Sequence, residues 1–72
     1  MKIFCAKDVY RTEINLDMLA LARGPRDKEC CEFSVCAGGE WVYLNYASTA
    51  DRKANAKAAH GDWRLLKRFW EN

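Results

Sequence analysis

Two strand-like runs separated by a pair of glycines constrain this chain more than any other feature. Cys31–Cys36 and Trp41–Tyr46 are rich in aromatic and β-branched residues, and Ala37-Gly38-Gly39-Glu40 lies between them. Adjacent glycines supply the positive φ angles that a tight two-residue turn requires. The pattern therefore predicts an antiparallel β-hairpin near the middle of the chain.

Alternation along the two strands predicts which side chains lie together. Glu32 and Ser34 mark the wetter side of the first strand. On the second strand, Trp41 and Tyr43 lie opposite the apolar set and are free to face outward. The apolar side of the first strand carries Cys31, Phe33 and Val35, and that of the second strand carries Val42, Leu44 and Tyr46.

The segment before the hairpin predicts a strand followed by a helix. Lys2–Ala6 has the composition of a short strand. Asn15 can cap a helix that Gly24-Pro25 ends, and Asp8 is a competing cap. A helix that begins at Val9 aligns four side chains at helical spacing, and a hairpin strand over Val9–Ile14 is the alternative. The aligned residues are Tyr10, Ile14, Met18 and Leu21.

A second helix is predicted after the hairpin. Ser48-Thr49-Ala50-Asp51 is a capping-box pattern, so the helix should begin at Thr49. Gly61-Asp62 is the point at which this helix could end and restart. A stripe of small and apolar residues should face the sheet, namely Ala50, Ala54, Ala58, Gly61, Leu65 and Phe69.

These elements predict an α+β fold in the order β-α-β-β-α. A short antiparallel sheet, made of the N-terminal strand and the central hairpin, would be packed by two helices. Seventy-two residues allow one domain, over residues 1–72, because a second core could not form in so short a chain.

The start of the chain and its cysteines bear on compartment and chemistry. The first apolar residues soon meet Lys7 and Asp8, so neither a signal peptide nor a membrane span is expected, and a cytoplasmic location is predicted. In that compartment thiols stay reduced, so the four cysteines are expected to be small buried hydrophobes rather than a disulfide framework. A zinc site would need Cys30, Cys31 and Cys36 with His60 or Cys5, but no Cys-x-x-Cys pair is present. No metal, cofactor or catalytic constellation is predicted.

Charge is unevenly distributed along the chain. Residues 1–47 carry six Lys or Arg against seven Asp or Glu, a net charge of −1, and residues 48–72 carry six against three, a net charge of +3. Helical spacing gathers the C-terminal cations into one stripe, which favours an anionic partner. Its members are Lys53, Lys57, His60, Arg64 and Lys67, with Arg52 and Arg68 beside them; the alternative is an ordinary solvated helix face.

We therefore expect a non-enzymatic macromolecule-binding protein. The leading hypothesis is an inhibitor or adaptor of the phage or mobile-element type, anti-CRISPR-like in action, that occupies a surface on a host protein or nucleoprotein complex. The basic stripe, with Trp41 and Tyr43, would make the contact. The alternative is a DNA- or RNA-binding module in which the stripe contacts phosphates and Trp41 or Tyr43 stacks on bases. A homodimer is a further prediction, because so small a core gains stability by pairing.

Overall fold

The computed structural model describes residues 2–71, which form five short strands and one long α-helix. β1 and β2 pair as a two-stranded antiparallel sheet, and a second antiparallel sheet has the order β3-β4-β5. The α+β class is confirmed, whereas the predicted order with two helices is wrong. The strands are β1 (Ile3–Cys5), β2 (Glu13–Asn15), β3 (Leu19–Arg23), β4 (Glu32–Ala37) and β5 (Glu40–Asn45), and the helix is α1 (Arg52–Glu71).

The central hairpin is confirmed, with strand ends that differ by one residue from the prediction. Gly38 and Gly39 have φ angles of 62° and 80°, the left-handed conformations of a two-residue type I′ turn. Ala37 pairs with Glu40 across this turn, and the register runs without a bulge to the pair of Glu32 with Asn45. The twist of such a turn matches the twist of the strands that it joins, so the glycines determine the register of the hairpin.

Residues 9–23 form no α-helix, which corrects the prediction of a helix there. Asn15 does cap, because its side chain accepts from the Asp17 amide, but the capped element is a single 3-10 turn over Leu16–Met18. Of the four side chains aligned at helical spacing, Ile14 alone is buried. Tyr10 is 79% exposed, Met18 54% and Leu21 51%.

Pairing with other strands explains this outcome. Leu19–Arg23 lies alongside β4, and Glu13–Asn15 lies alongside β1. Hydrogen bonds to these distant strands override the local helix propensity, because intrinsic propensity contributes little free energy compared with tertiary contacts. The link between β1 and β2 is held by Asp8, whose carboxylate accepts from the Thr12 amide and hydroxyl. The N-terminal strand therefore belongs to its own sheet and does not join the hairpin sheet.

The C-terminal helix begins at Arg52, three residues later than predicted. The Asp51 carboxylate accepts from the amides of Lys53 and Ala54, and the Asp51 carbonyl accepts from the Asn55 amide. Asp51 is thus the N-cap, and Ser48 is not. The helix runs without interruption through Gly61 to Glu71.

A different stripe of this helix faces the sheets from the one predicted. Ala54, Ala58, Leu65 and Phe69 are exposed, so the small-residue stripe does not form the packed face. The packed face contains two polar residues that form hydrogen bonds in the interior. Because they are polar, the hydrophobic pattern of the sequence does not reveal that this face is buried. Its buried members are Asn55, Ala56, Ala59, Asp62 and Leu66.

The core lies between α1 and the inner faces of the strands. Val35, Leu44, Tyr46 and Leu66 are the largest side chains with almost no exposure, which confirms the apolar side predicted for the hairpin; Ser34, predicted on the wetter side, is buried as well. Phe4 and Ile14 extend the same buried cluster into the β1–β2 sheet. Within residues 2–71, no helix combines the length and the apolar character needed to cross a membrane.

Candidate functional site

The helix that carries the predicted site residues has a fixed start. The Thr49 hydroxyl donates to Asn55 Oδ1 at 2.8 Å, and the side-chain nitrogen Nδ2 of Asn55 donates to the Thr49 carbonyl at 3.0 Å. These bonds tie the segment before the helix to the buried Asn55 side chain, and the Asp51 carboxylate satisfies the first open amides of the helix. The first turn, where Arg52 and Lys53 lie, is therefore held in one position.

The middle of the helix is anchored by a buried carboxylate. Asp62 Oδ2 accepts from the Tyr46 hydroxyl and from the Lys7 amide, each at 2.7 Å. Burial, and then the hydrogen bond to Asp62, raises the pKa of Tyr46 well above its usual value, so its hydroxyl remains a donor at any physiological pH. This junction joins the helix to β5 and to the segment after β1, and it sets the rotation of the helix about its axis.

The rotation leaves the cationic stripe in solvent. We call it the basic face, formed by the seven residues Arg52 to Arg68 named above; His60 is half-buried and the other six are exposed. At about 1.5 Å per residue the face is about 24 Å long. Within residues 2–71, the side chains of Lys53, Lys57 and Arg64 make no hydrogen bond or ion pair, so their charges are free to meet an anion.

A groove lies along the basic face, between the helix and the connector that precedes β4. Its volume is about 700 Å³. His60 spans it at one point, where Nε2 lies 2.9 Å from the Asp27 carbonyl; since a carbonyl only accepts, this nitrogen carries a proton. Five Lys or Arg side chains and a single carboxylate line the groove, so its potential is positive. The lining residues are Lys28, Glu29, Arg52, Lys53, Ala56, Lys57, His60 and Arg64.

Sequence reasoning missed Lys28 as part of this groove. The signal for it was the charged connector Pro25–Glu29, but only the folded chain brings the connector beside the helix. Lys7 was missed in the same way. It lines a second, smaller recess of about 440 Å³ with Lys57, Arg64 and Arg68, so the positive surface continues around the helix.

The structure separates Trp41 and Tyr43 from the basic face. The helix packs on the β4–β5 face that carries Phe33 and Tyr46, as the Phe33–Trp63 ring contact at 5.4 Å and the Tyr46–Asp62 hydrogen bond show. Trp41 and Tyr43 lie on the opposite face of the sheet, where they are 39% and 74% exposed. The predicted site residues therefore form two surfaces with the core between them.

The other tryptophans are used in packing. Trp63 contacts Phe33, and the Lys67 ammonium lies 5.5 Å from the Trp63 ring centre. Trp70 is half-buried against the core cluster. These two tryptophans thus support the helix, whereas Phe69 is 47% exposed and its ring centre lies 6.1 Å from that of Phe4.

The cysteines and acidic residues form no further site. Cys5 is exposed, and Cys30, Cys31 and Cys36 are half-buried free thiols, so the prediction that the four cysteines are buried is wrong. Within residues 2–71, no group of three or more His, Cys, Asp or Glu side chains is placed to hold a metal ion.

Searches against protein-family models, curated proteins and solved structures found no match to this chain.

Proposed function

We propose that this protein is a non-enzymatic binding protein that docks its basic face on an acidic surface of another protein or of a nucleoprotein complex, and acts there as an inhibitor or an adaptor. One observation carries the proposal: the cations from Arg52 to Arg68 lie on one exposed side of an uninterrupted, anchored helix. Because the helix backbone is anchored, docking orders only its exposed side chains, and within residues 2–71 Lys53, Lys57 and Arg64 have no ion pair to break first, which favours recognition by charge complementarity.

The surface of this chain is large enough for a protein interface of standard size centred on the basic face. A specific interface of standard size buries about 800 Å² on each partner. The described chain exposes 5197 Å² in total, so such an interface takes about 15% of its surface. Glu29 at the rim and the carbonyl of Asp27 add polar groups that can select among acidic partners.

The position of the aromatic residues favours a protein partner over single-stranded nucleic acid. Binding of single strands combines cationic contacts to the backbone with bases stacked on nearby aromatic rings. Here Trp41 and Tyr43 are on the far side of the sheet, and Trp63 is packed against Phe33. A single strand on the basic face would find phosphate contacts without stacking.

Duplex nucleic acid is the second candidate partner, and the groove beside the helix favours it. Lys28 and Lys53 line the groove from two separate segments, so phosphates can be contacted from both sides. A duplex bound through about five phosphates loses affinity with a slope of log affinity against log salt of about −4.5. Fluorescence anisotropy with a random-sequence duplex at several salt concentrations measures this slope.

Site-specific photo-crosslinking tests the proposal. A benzophenone amino acid at position 57 places the reactive group on the basic face, and the same amino acid at position 11 is the control on a distant exposed site. We expect position 57 alone to give a protein adduct in cells that express the chain, and this adduct should survive nuclease and weaken with Arg64→Glu. An adduct destroyed by nuclease supports the duplex instead. Identical adducts from both positions, or none, contradict both candidates.

A further inference from the structure

The outer edge of β5 is an unpaired strand edge, and its hydrogen-bonding pattern can be read from its neighbours. The Tyr46 amide donates to the Cys31 carbonyl of the adjoining segment at 2.8 Å, so the even-numbered residues of this strand bond toward β4. The Val9 amide donates to the Asn45 carbonyl at 2.8 Å from the other side. The odd-numbered residues therefore direct their N–H and C=O groups outward.

Trp41 and Tyr43 are the two outward-bonding residues that the chain leaves open. Within residues 2–71, no backbone group bonds to their outward amides or carbonyls, whereas the outward Asn45 carbonyl already accepts from the Val9 amide. Their side chains stand exposed on the face of the sheet, with the Arg23 guanidinium 5.0 Å from the Trp41 ring centre. Two amides, two carbonyls and two aromatic rings thus lie along one edge of about five residues.

The two edges of this sheet are protected differently. β3 has a register irregularity between Leu19 and Leu21 and is followed by Pro25, and both features discourage strand addition. β5 pairs along its whole length without a bulge and contains no proline or lysine. Natural proteins usually interrupt or charge an edge that must stay single, so the regular β5 edge is suited to pairing.

We propose that the β5 edge pairs in antiparallel fashion with β5 of a second copy of this chain, joining two three-stranded sheets into one of six strands. The edge is self-complementary, because the two open residues flank Val42 symmetrically. A twofold axis at Val42 places Trp41 of each copy opposite Tyr43 of the other. Each such pair exchanges two N–H···O bonds, which gives four bonds in total.

Side chains and charge agree with this pairing. Trp41 of one copy lies beside Tyr43 of the other on the exposed face, and aromatic cross-strand neighbours stabilise antiparallel pairs. Glu40 is the one charged residue of β5, and in this arrangement the two copies of Glu40 lie at opposite ends of the new pair. In this register Gly39 of one copy comes opposite Asn45 of the other, whose outward carbonyl already accepts from the Val9 amide, so the pairing ends at Trp41 and Tyr43. All residues of the basic face lie on α1 and none lies on β5, so the proposed pairing uses none of them.

Amide hydrogen exchange tests the pairing directly in the unmodified protein. We expect exchange at Trp41 and Tyr43 to slow at least tenfold between about 10 μM and about 1 mM protein, as the dimer forms. The amides of Val42 and Leu44 donate to β4 in monomer and dimer alike, so they are internal controls. Sedimentation over the same range should show a mass that rises from one chain toward two.

Two substitutions at one position separate the backbone from the side chain. Tyr43→Pro removes an outward N–H without touching a β4–β5 bond, and proline is tolerated at sheet edges. Tyr43→Ala removes the ring and keeps the N–H. We expect Tyr43→Pro to remain monomeric and Tyr43→Ala to dimerise with reduced affinity, with circular dichroism showing that each variant is folded. A wild-type chain that stays monomeric throughout, or unprotected Trp41 and Tyr43 amides at high concentration, overturns the proposal even if a variant misfolds.

Discussion

The Tyr46 hydroxyl donates to the Asp62 carboxylate at 2.7 Å, in a pair that joins the residue directly after β5 to the middle of the C-terminal helix. The same oxygen accepts from the Lys7 amide, so one carboxylate ties three segments together. This junction sets the rotation of the helix, and with it the direction in which the basic face points.

Removing the carboxylate should destabilise the fold. Asp62→Ala leaves the buried Tyr46 hydroxyl and the Lys7 amide without an acceptor, which costs about 2–6 kcal/mol of unfolding free energy, since each unsatisfied group costs about 1–3 kcal/mol. Urea denaturation measures the loss. Asp62→Asn keeps an acceptor oxygen and should lose less; equal losses for the two substitutions would show that these hydrogen bonds contribute little.

Alkaline pH should weaken the same junction. The pKa of Tyr46 is raised in the folded protein, chiefly by burial, whereas in the unfolded chain it lies near 10.0. Below that pH both states hold the proton and the stability is intact; above it the unfolded state ionises first, so stability falls as pH rises, by up to about 1.4 kcal/mol per pH unit.

Urea unfolding at several pH values between about 8 and 11 measures this dependence. Tyr46→Phe is the control, because it cannot ionise at this position. We expect its stability to be lower at neutral pH but to fall less steeply above pH 10.0. Parallel curves for the two proteins would exclude Tyr46 as the source of the alkaline dependence.

Two glycines near or within the helix should respond in opposite ways to alanine. A Cβ atom at Gly24 would lie 2.6 Å from the Trp63 ring, so Gly24→Ala forces the indole to move and should cost about 1–3 kcal/mol. A Cβ atom at Gly61 meets nothing within 4 Å, so Gly61→Ala should stabilise the helix by about 0.5–1 kcal/mol. Thermal unfolding of both variants checks the contrast, and a tolerated Gly24→Ala would mean that Trp63 has room to shift.

Charge reversal on the basic face should abolish partner binding. Lys57 and Arg64 line both recesses, so changing both to Glu replaces attraction with repulsion at the centre of the face. Arg11→Glu, compared with the single change Arg64→Glu, controls for net charge because Arg11 is exposed elsewhere. Binding of the crosslinked partner is the measurement, with circular dichroism as the check on folding. Equal affinities of the Arg64→Glu and Arg11→Glu variants for the partner would show that the basic face faces solvent and does not contact the partner.

Local patterns predicted the hairpin and the presence of the last helix, for physical reasons that act within a few residues. Gly38 and Gly39 permit the turn, and alternation divides Phe33 and Val35 from Ser34. Helical spacing likewise gathered Lys53, Lys57 and Arg64 on one side of a helix, since that depends only on helix geometry. These properties need no information about distant segments.

The fold of residues 9–23 and the packed side of the helix were decided by tertiary contacts. Leu19–Arg23 forms a strand because its backbone pairs with β4, and no pattern within the segment itself predicts this pairing. The helix turned Asp62 inward because Tyr46 and Lys7 supplied donors for a buried carboxylate, which reverses the rule that polar residues face water. That rotation left Leu65 and Phe69 exposed and brought Lys28 beside the basic face. The sequence by itself determined which residues are cationic and where the chain can form a tight turn, because both depend only on residue type. The tertiary structure determined which segments lie beside those cations, because this depends on how the helix packs on the sheets.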